Sequence, residues 1–303
     1  MAINTGTHPI LLWPGVKATW GQVYEAYEPQ YTACYDVQDS DQAYEKMAQI
    51  TGFGLMPVKG QGAPQEMDTE YQGIISTYTH IAYALGYIVT FEELRDNLYS
   101  EVAERRAKAL AFSGNQTVDT VAAFLYNNAF VSTYYTTGDD VALISTAHVN
   151  ATGGTYSNAL SPAADLSEAA LEDLSIQIMG TQNDRGGLIS IQSQSLHVPR
   201  QEYFNAQRIL QSVLQPNTTS NNINVLKATN AFPGGVQVNQ FFTAPHAWFI
   251  RTNCPEGMTF FWRDRPMFDQ DNDFSTKNAL AAQYMRFSVG CTDPRGIFGS
   301  NGP

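Results

Sequence analysis

Charged side chains are scarce in this sequence. Asp, Glu, Lys and Arg make up 15% of its 303 residues, whereas an average soluble domain has about 25%. Basic residues are the scarcer kind, 17 against 29 acidic ones, and the net charge is -12. Because nonspecific nucleic-acid binding relies on Lys and Arg neutralising phosphates, this balance argues against a general nucleic-acid binder. An acidic protein can still enclose DNA to which it should not adhere.

Cysteines and long apolar runs are also few. The three cysteines, Cys34, Cys254 and Cys291, lie far apart, so C-x-x-C zinc and redox patterns are absent and no disulfide framework is expected. No apolar run is long enough to cross a bilayer, and the first residues do not resemble a signal peptide. These absences predict a soluble chain made in a reducing cytoplasm, with no membrane partner.

The segment from Thr90 to Phe130 has the strongest helical pattern. Thr90 and Glu93 have the spacing of a capping box, which predicts the first turn. Apolar residues then recur at helical spacing, namely Leu94, Leu98, Val102 and Ala109. Basic residues follow where the helix dipole is expected to favour cations, namely Arg105, Arg106 and Lys108. The pattern predicts a long amphipathic helix with one buried stripe.

Ser113 and Gly114 interrupt this helical pattern. A second apolar stripe follows them, formed by Val118, Val121, Ala122 and Leu125. The segment is therefore either one bent helix or two helices in tandem. Because a helix gains most of its stability by burying an apolar face, other elements are expected to lie along it as along a spine.

The chain before the spine divides into three parts. Residues 1–21 contain Pro9, Pro14 and three glycines, which predicts an extended arm. Residues 23–35 hold tyrosines at helix-like spacing around Pro29, typical of a broken helix or an anchor segment, and residues 40–47 suggest a short helix. Two strand-like runs, the first near Ile50 and the second at 71–89, then predict a long β-hairpin with its tip at 60–68. A projecting hairpin has little core of its own, so we expect it to rest on another subunit.

The chain after the spine mixes helices and strands. Ser167 is expected to cap a helix that ends at Gly180, and Pro199 to open another helix. Strands are predicted at 141–144, at 188–198, around Val225, and at 236–242, 248–251, 258–263 and 286–291. Regular βαβ repetition is absent, so the predicted class is α+β.

Recognisable catalytic and ligand-binding patterns are missing. The five histidines have no metal or nucleophile arrangement around them, and Ser145 and His148 are neighbours only in sequence. The segment from Asp269 to Asp273 resembles half of a calcium loop, but Phe274 and Leu280 stand where that loop needs Gly and Glu. The glycine pairs at 52–54 and 60–62 lack the Lys-Ser/Thr of phosphate loops. We therefore predict no enzyme activity, no cofactor and no metal.

The order of parts, namely arm, projecting hairpin, spine and mixed domain, resembles the major capsid proteins of tailed double-stranded DNA phages, which have the Hong Kong 97-type fold. Several segments resemble more closely the Mu-like major head subunits. These segments are ITGFGLMPVKGQG (50–62), YTHIAYALGYIVTFEELRDNLY (78–99), YNNAF (126–130), DDVALISTAHVNATGGTYSN (139–158), LHVPRQEYFNAQRILQS (196–212), AWFIR (247–251) and the residues from 260 to 300.

The resemblance implies a division of the chain and a set of assembly residues. Residues 1–45 would be an N-terminal arm, 46–89 the E-loop hairpin and its return, 90–132 the spine helix of a peripheral domain, 133–255 an axial domain, and 256–303 the return to the peripheral domain with the last strand. Assembly contacts would lie at the E-loop tip, at Lys59, Gly60, Gln61 and Gly62. Further contacts would lie along the spine, at Glu92, Glu93, Arg95, Arg105 and Arg106.

The resemblance also implies function and partners. The chain would assemble with itself into pentamers and hexamers of an icosahedral phage head, formed in the host cytoplasm, which encloses double-stranded DNA without binding it specifically. Portal and scaffolding proteins, and possibly a decoration protein, would be its other partners. Some relatives cross-link an E-loop lysine to an asparagine, and Lys59 lies in that region, although no matching asparagine can be identified.

Two other functions are considered. The first is an encapsulin-like compartment shell, which would load cargo instead of DNA. The second is a hydrolase that uses His148 or His246, which would require a pocket with convergent polar groups.

Overall fold

The computed structural model describes residues 13–62, 64–95, 99–214, 222–273 and 275–302. The helices are α1 (Trp13–Ala26), α2 (Tyr31–Cys34), α3 (Phe91–Arg95), α4 (Tyr99–Asn127), α5 (Glu168–Met179), α6 (Tyr203–Gln211) and α7 (Val225–Ala228). The strands are β1 (Asp36–Asp39), β2 (Tyr44–Ile50), β3 (Gln72–Thr79), β4 (Ile81–Val89), β5 (His148–Val149), β6 (Thr155–Tyr156), β7 (Ser193–Pro199), β8 (Val236–Asn239), β9 (Trp248–Thr252), β10 (Met258–Asn272), β11 (Ala279–Cys291) and β12 (Ile297–Ser300). A 3₁₀ turn, Pro294–Gly296, precedes β12.

The first sheet supports the long helix. Its strand order is β1-β10-β11-β4, with β1 parallel to β10 and the other pairs antiparallel. Helix α4 packs against β11 and buries a cluster of large side chains there. Tyr126 in this cluster lies edge-on to Tyr35 of the segment after α2, with 5.8 Å between ring centroids. The α+β class is therefore confirmed, and the spine and the late strands form one layered unit.

The spine is continuous through Ser113 and Gly114, where the sequence pattern predicted a bend or a break. Gly114 faces Gln283 of β11, and a Cβ atom on this glycine would overlap the Gln283 amide. The glycine therefore permits close packing between helix and strand, and the resulting burial offsets its weak helix propensity. Asn115 is buried in the same turn and donates to the Tyr24 carbonyl at 3.2 Å.

The first predicted stripe can be compared with the buried face of the spine only at Ala109, because the side chains of Leu94, Leu98 and Val102 lie outside the described part. Ala109 is exposed, whereas the buried residues described in this half are Ala103, Ala107, Leu110 and Ala111. The second stripe is confirmed, since Val118, Ala122 and Leu125 are buried. The position of the basic residues was also misjudged, because the helix extends to Asn127 and its last turn contains no basic residue. Arg105 and Arg106 thus lie in its first third.

Helix α1 corrects the prediction of an extended arm over residues 13–21. Val16 and Trp20 are one helical turn apart and both are buried against the spine and β10. The Trp20 ring stacks on Tyr24 and on Phe268, at centroid distances of 5.3 and 5.5 Å. Its Nε1–H donates to Gln283 Oε1 at 3.1 Å. Helix formation is favoured because it brings these apolar positions to one face; residues 1–12 lie outside the described part.

The tyrosine-rich segment is a broken helix, as predicted. Between α1 and α2 the chain turns at residues 27–30, and the buried Asp119 of the spine holds this turn. Its carboxylate accepts hydrogen bonds from the Tyr27 hydroxyl at 2.8 Å and from the backbone N–H groups of Gln30 and Tyr31 at 3.1 and 3.0 Å. One spine side chain therefore fixes the start of α2.

The second sheet forms a separate layer with its own core. Its strand order is β12-β9-β7-β8, and α5, α6 and α7 pack on it. The predicted cap of α5 is confirmed, since Ser167 Oγ accepts from the Ala170 N–H at 3.2 Å. The prediction for Pro199 was wrong. This residue ends β7, and α6 begins at Tyr203, because β7 continues through Pro199 in its pairing with β8.

Three shorter predictions are also corrected. Residues 40–47 contain no helix, and their second half, residues 44–47, begins strand β2, in which Tyr44 and Lys46 pair with β3. Residues 141–144 are irregular, because their backbone bonds go to the end of the spine, where Ala129 O accepts from the Ile144 N–H at 2.8 Å. Val225 begins a helical turn because the Asn224 side chain accepts from the Lys227 N–H.

We predict that Trp20→Ala lowers the free energy of unfolding by about 3–5 kcal/mol, the usual loss for a buried aromatic residue. The variant loses two ring contacts and the hydrogen bond to Gln283. Chemical denaturation measures the change. The matched control is Gln22→Ala on the exposed side of α1, which should change stability by less than about 0.5 kcal/mol. Equal stability of both variants would contradict the packing of α1 on the spine.

Candidate assembly surfaces

A two-stranded hairpin projects from the first sheet. Strands β2 and β3 pair antiparallel from Tyr44↔Thr79 to Ile50↔Gln72. The base is fastened to the end of β11 by two buried hydrogen bonds, from Ser76 Oγ to the Cys291 carbonyl at 3.1 Å and between the Tyr78 and Thr292 hydroxyls at 2.6 Å. The predicted hairpin is therefore present, with a firm base and a long connecting segment, residues 51–71. Its second strand is shorter than the predicted run 71–89, because only β3 pairs with β2 and β4 joins the first sheet beside β11.

The connecting segment exposes large apolar side chains. Leu55, Met56, Val58 and Met67 are 94%, 97%, 101% and 87% exposed. The predicted tip residues Lys59, Gly60, Gln61 and Gly62 are exposed beside them. Contiguous exposed apolar residues of this size are typical of interaction sites. The predicted tip residues are polar or glycine. The large apolar side chains, which were not predicted as contact residues, lie on either side of them in the chain.

One contact holds the connecting segment against the same chain. Asp68 Oδ2 accepts from the Gly54 N–H at 2.8 Å and from Arg185 Nη1 at 2.6 Å. Arg185 also donates to the Thr69 carbonyl and lies over the Tyr71 ring, 5.7 Å from its centroid. The hydrogen bonds from the Gly54 and Thr69 N–H groups, with the Arg185 charge, lower the pKa of Asp68 below its ordinary value. No local sequence pattern predicts this contact, because its partners are more than a hundred residues apart.

The predicted spine residues separate into one pair and several single positions. Glu93 and Arg106 form a bidentate ion pair, with Nη2–Oε1 at 3.0 Å and Nη1–Oε2 at 3.2 Å. Thr90 Oγ1 accepts from the Glu93 N–H at 3.3 Å, so the predicted cap of α3 is present. Glu92 and Arg105 are exposed, and Arg95 ends α3. Among the described residues, the Glu93–Arg106 ion pair links α3 to α4.

His148 is a buried structural residue. Its side chain is 0% exposed, and its Nδ1 lies 2.8 Å from Asp139 Oδ2. Its Nε2 lies 3.1 Å from Asn158 Oδ1, an atom that also accepts from the Ser145 N–H. Burial opposes ionisation of Asp139, but hydrogen bonds from His148 and Thr137 prevail and lower its pKa from 3.8 to about 2. Both ring nitrogens are occupied within the fold, so this histidine is not available as a general base.

His246 and His197 also lack the arrangement of a hydrolase. His246 is exposed, and its Nδ1 lies 3.8 Å from Asp165. A serine–histidine pair that the sequence analysis missed is present at Ser195 and His197, with Oγ and Nε2 2.8 Å apart. Both residues are buried, and burial together with the nearby Arg251 charge lowers the pKa of His197 to about 3. The ring is therefore neutral and inaccessible to a substrate.

The described ranges contain neither a metal-binding cluster nor a membrane-spanning helix. Among these residues, no group of three or more His, Cys, Asp or Glu side chains is arranged to hold a metal ion. Within the same ranges, no helix is both long and apolar enough to cross a membrane.

Solved structures of shell proteins share this fold. A virus-like particle from Pyrococcus furiosus superposes with a TM-score of 0.54 at 11% identity, covering 94% of this chain and 97% of that one. The capsid of the native GTA particle gives 0.54 at 12% identity, covering 89% and 88%. The capsid of Myoviridae phage XM1 gives 0.51 at 11% identity, covering 90% of each. At such identities the likeness establishes the fold alone, which is that of Hong Kong 97-type shell proteins.

The family is established by sequence. The profile of the family described as phage capsid protein matches residues 74–299, and the chain belongs to this family. It is a structural major capsid protein and not an enzyme, it assembles with itself into a shell, and it is located in the virion capsid. No curated protein sequence matches the chain significantly. The compartment-shell and hydrolase alternatives are not favoured.

We predict that Asp139→Asn lowers the free energy of unfolding at neutral pH by about 1.5–3 kcal/mol, the range for a hydrogen bond to a charged group. The folded-state pKa of Asp139 lies below its ordinary value. Its contribution is therefore present above pH about 4 and is lost as the pH falls through about 2. Denaturation across this pH range should show a smaller acid loss in the variant than in the unmodified protein.

The matched control for this prediction is the exposed neighbour Asp140, because Asp140→Asn removes the same charge outside the buried network. This control should retain both the neutral-pH stability and the acid loss. If Asp139→Asn behaved like the control, the structural role of His148 would be contradicted.

Proposed function

We propose that the chain forms pentamers and hexamers of an icosahedral phage head that encloses double-stranded DNA. The observation that carries the proposal is the apolar end of the β2–β3 hairpin, which has almost no contact with its own chain. Leaving four large apolar side chains in water is unfavourable, so a neighbouring subunit is expected to cover them. A closed shell supplies such a neighbour for every copy.

Each part of the chain has a proposed role in the shell. Residues 1–45 act as the N-terminal arm, 46–89 as the E-loop and its return, and 90–132 as the spine of a peripheral domain. Residues 133–255 act as the axial domain at the five-fold and six-fold axes, and 256–303 complete the peripheral domain. The separate clusters of buried residues behind the two sheets support a division of this kind. Strand β12 departs from it, since it lies in the second sheet beside β9.

The E-loop and the spine are the proposed contact regions. Lys59, Gly60, Gln61 and Gly62 carry the loop over the neighbour while the apolar residues around them supply the buried area. Glu92 and Arg105, which are exposed, and Arg95 are proposed to contact a neighbouring subunit. Glu93 and Arg106 act indirectly, since their ion pair holds α3 against α4.

Three further proposals concern partners and descent. The acidic balance of the chain would keep packaged DNA mobile, since a shell with net charge -12 per subunit repels phosphates. Portal and scaffolding proteins, with a possible decoration protein, are the proposed partners during assembly in the host cytoplasm. The Mu-like segments quoted above support placement in that branch of the capsid proteins.

The test replaces Leu55 and Met56 together by Ser. Both side chains are almost fully exposed, so the unfolding free energy of the subunit should change by less than about 0.5 kcal/mol. Assembly should fall sharply, by about tenfold or more in the assembled fraction, because the buried apolar area of every contact is lost. Light scattering and negative-stain electron microscopy measure the assembled fraction.

The matched control replaces the exposed polar residues Gln65 and Glu66 of the same segment by Ser. Shell assembly should be close to that of the unmodified protein. Full assembly of the Leu55 and Met56 variant would overturn the proposed role of the hairpin.

A further inference from the structure

Strand β4 is an uncovered edge of the first sheet. It pairs with β11 over its whole length, from Ile81↔Phe287 to Val89↔Ala279, and no strand of the described ranges lies on its other side. The Ile88 carbonyl accepts from Arg106 Nη1 at 3.3 Å and therefore faces away from β11. Since alternate residues of a strand direct their backbone groups to opposite sides, Ala82, Ala84 and Gly86 also present N–H and C=O groups to the open side.

Apart from the Arg106 contact at Ile88, this edge lacks the features that usually protect exposed strands. Proteins protect open edges with charges, prolines, bulges or short length. The sequence of β4 is IAYALGYIV, nine residues with no charge and no proline, and its pairing with β11 has no register shift. Ile81, Leu85 and Ile88 are 55%, 56% and 58% exposed. Such an edge would aggregate unless another strand covered it in the assembled state.

We propose that β4 pairs antiparallel with β4 of a second copy, around a two-fold axis that passes through Leu85. This inference rests on the proposed shell, in which copies of the same chain are the partners always present. A two-fold contact joins the same surface of both copies. A strand can therefore form such a contact only if two copies of it pair without unfavourable contacts between their side chains. A charge-free strand does so, because no like charges meet across the pair.

The register follows from length and from side-chain size. Centring the pair on Leu85 aligns all nine residues, placing Ile81 opposite Val89 and Tyr83 opposite Tyr87. On the other face, the small Ala82 lies opposite the large Ile88, and Ala84 lies opposite Gly86. The outward backbone groups of these four residues then bond to one another, and the two Leu85 residues form the closer, non-hydrogen-bonded type of pair.

A cleft beside Leu85 supports the second copy of β4 as the partner of this edge. It has a volume of about 240 Å³ and lies between the spine and the edge of the sheet, lined by Leu85, Leu110, Ser113 and Met285 among others. Gln283 also lines it, and its buried Nε2 has no hydrogen-bond partner among the described residues. In the proposed pair, the Leu85 side chain of the second copy lies on the same sheet face and covers the apolar mouth of this cleft.

The test is cross-linking in assembled shells of the full chain. Across a non-hydrogen-bonded pair, the Cα atoms are close enough for a disulfide, so Leu85→Cys should yield covalent dimers in most chains under oxidised glutathione. The matched control is Ala84→Cys, an exposed neighbour whose partner would be Gly86 and not itself. That variant, like the unmodified protein with its native cysteines, should stay largely monomeric on a denaturing gel.

A second measurement uses the unmodified protein. The outward amides of Ala84 and Gly86 should exchange quickly in unassembled subunits and be slowed by about tenfold or more in shells. Shells that form normally but show neither the Leu85 cross-link nor this protection would overturn the β4 pairing and leave the proposed shell intact. Cross-linked dimers from a chain that forms no pentamers or hexamers would support the pairing and count against the shell proposal.

Discussion

The close packing of the spine helix against β11 is the constraint on which the other parts depend. Gly114 allows the helix to approach the strand, and Gln283 fills the space and accepts a hydrogen bond from Trp20. Strand β11 is also the partner of both β10 and β4. Since the hairpin leads directly into β4, the contact that fixes the spine also fixes where the hairpin projects and which edge of the sheet stays open.

The proposed assembly surfaces are thus the parts that this packing leaves uncovered. The hairpin end and the β4 edge are apolar and exposed, whereas His148, a candidate of the hydrolase alternative, and His197 are buried with hydrogen bonds inside the chain. A protein organised in this way interacts through large surfaces and not through a pocket. The low content of charged residues serves the same purpose, because covering neutral side chains requires little desolvation of charge.

Local signals in the sequence predicted those features that depend on neighbouring residues. The cap at Thr90, the cap at Ser167 and the hairpin belong to this group, since their partners lie within one turn or one loop. Helix α1 was missed because Trp20 packs on Phe268 and Gln283, far along the chain. The predicted site residues Glu93 and Arg106 could be named singly, but only the fold shows that they form a pair.

The most direct test of this account is negative-stain electron microscopy of the purified chain, alone and with the proposed scaffolding protein, with the particle mass measured by light scattering. We expect closed shells, or rings of five and six subunits, with the mass of a multiple of the 33.4 kDa chain. A stable monomer that never assembles under these conditions and holds a ligand in an internal pocket would contradict the account.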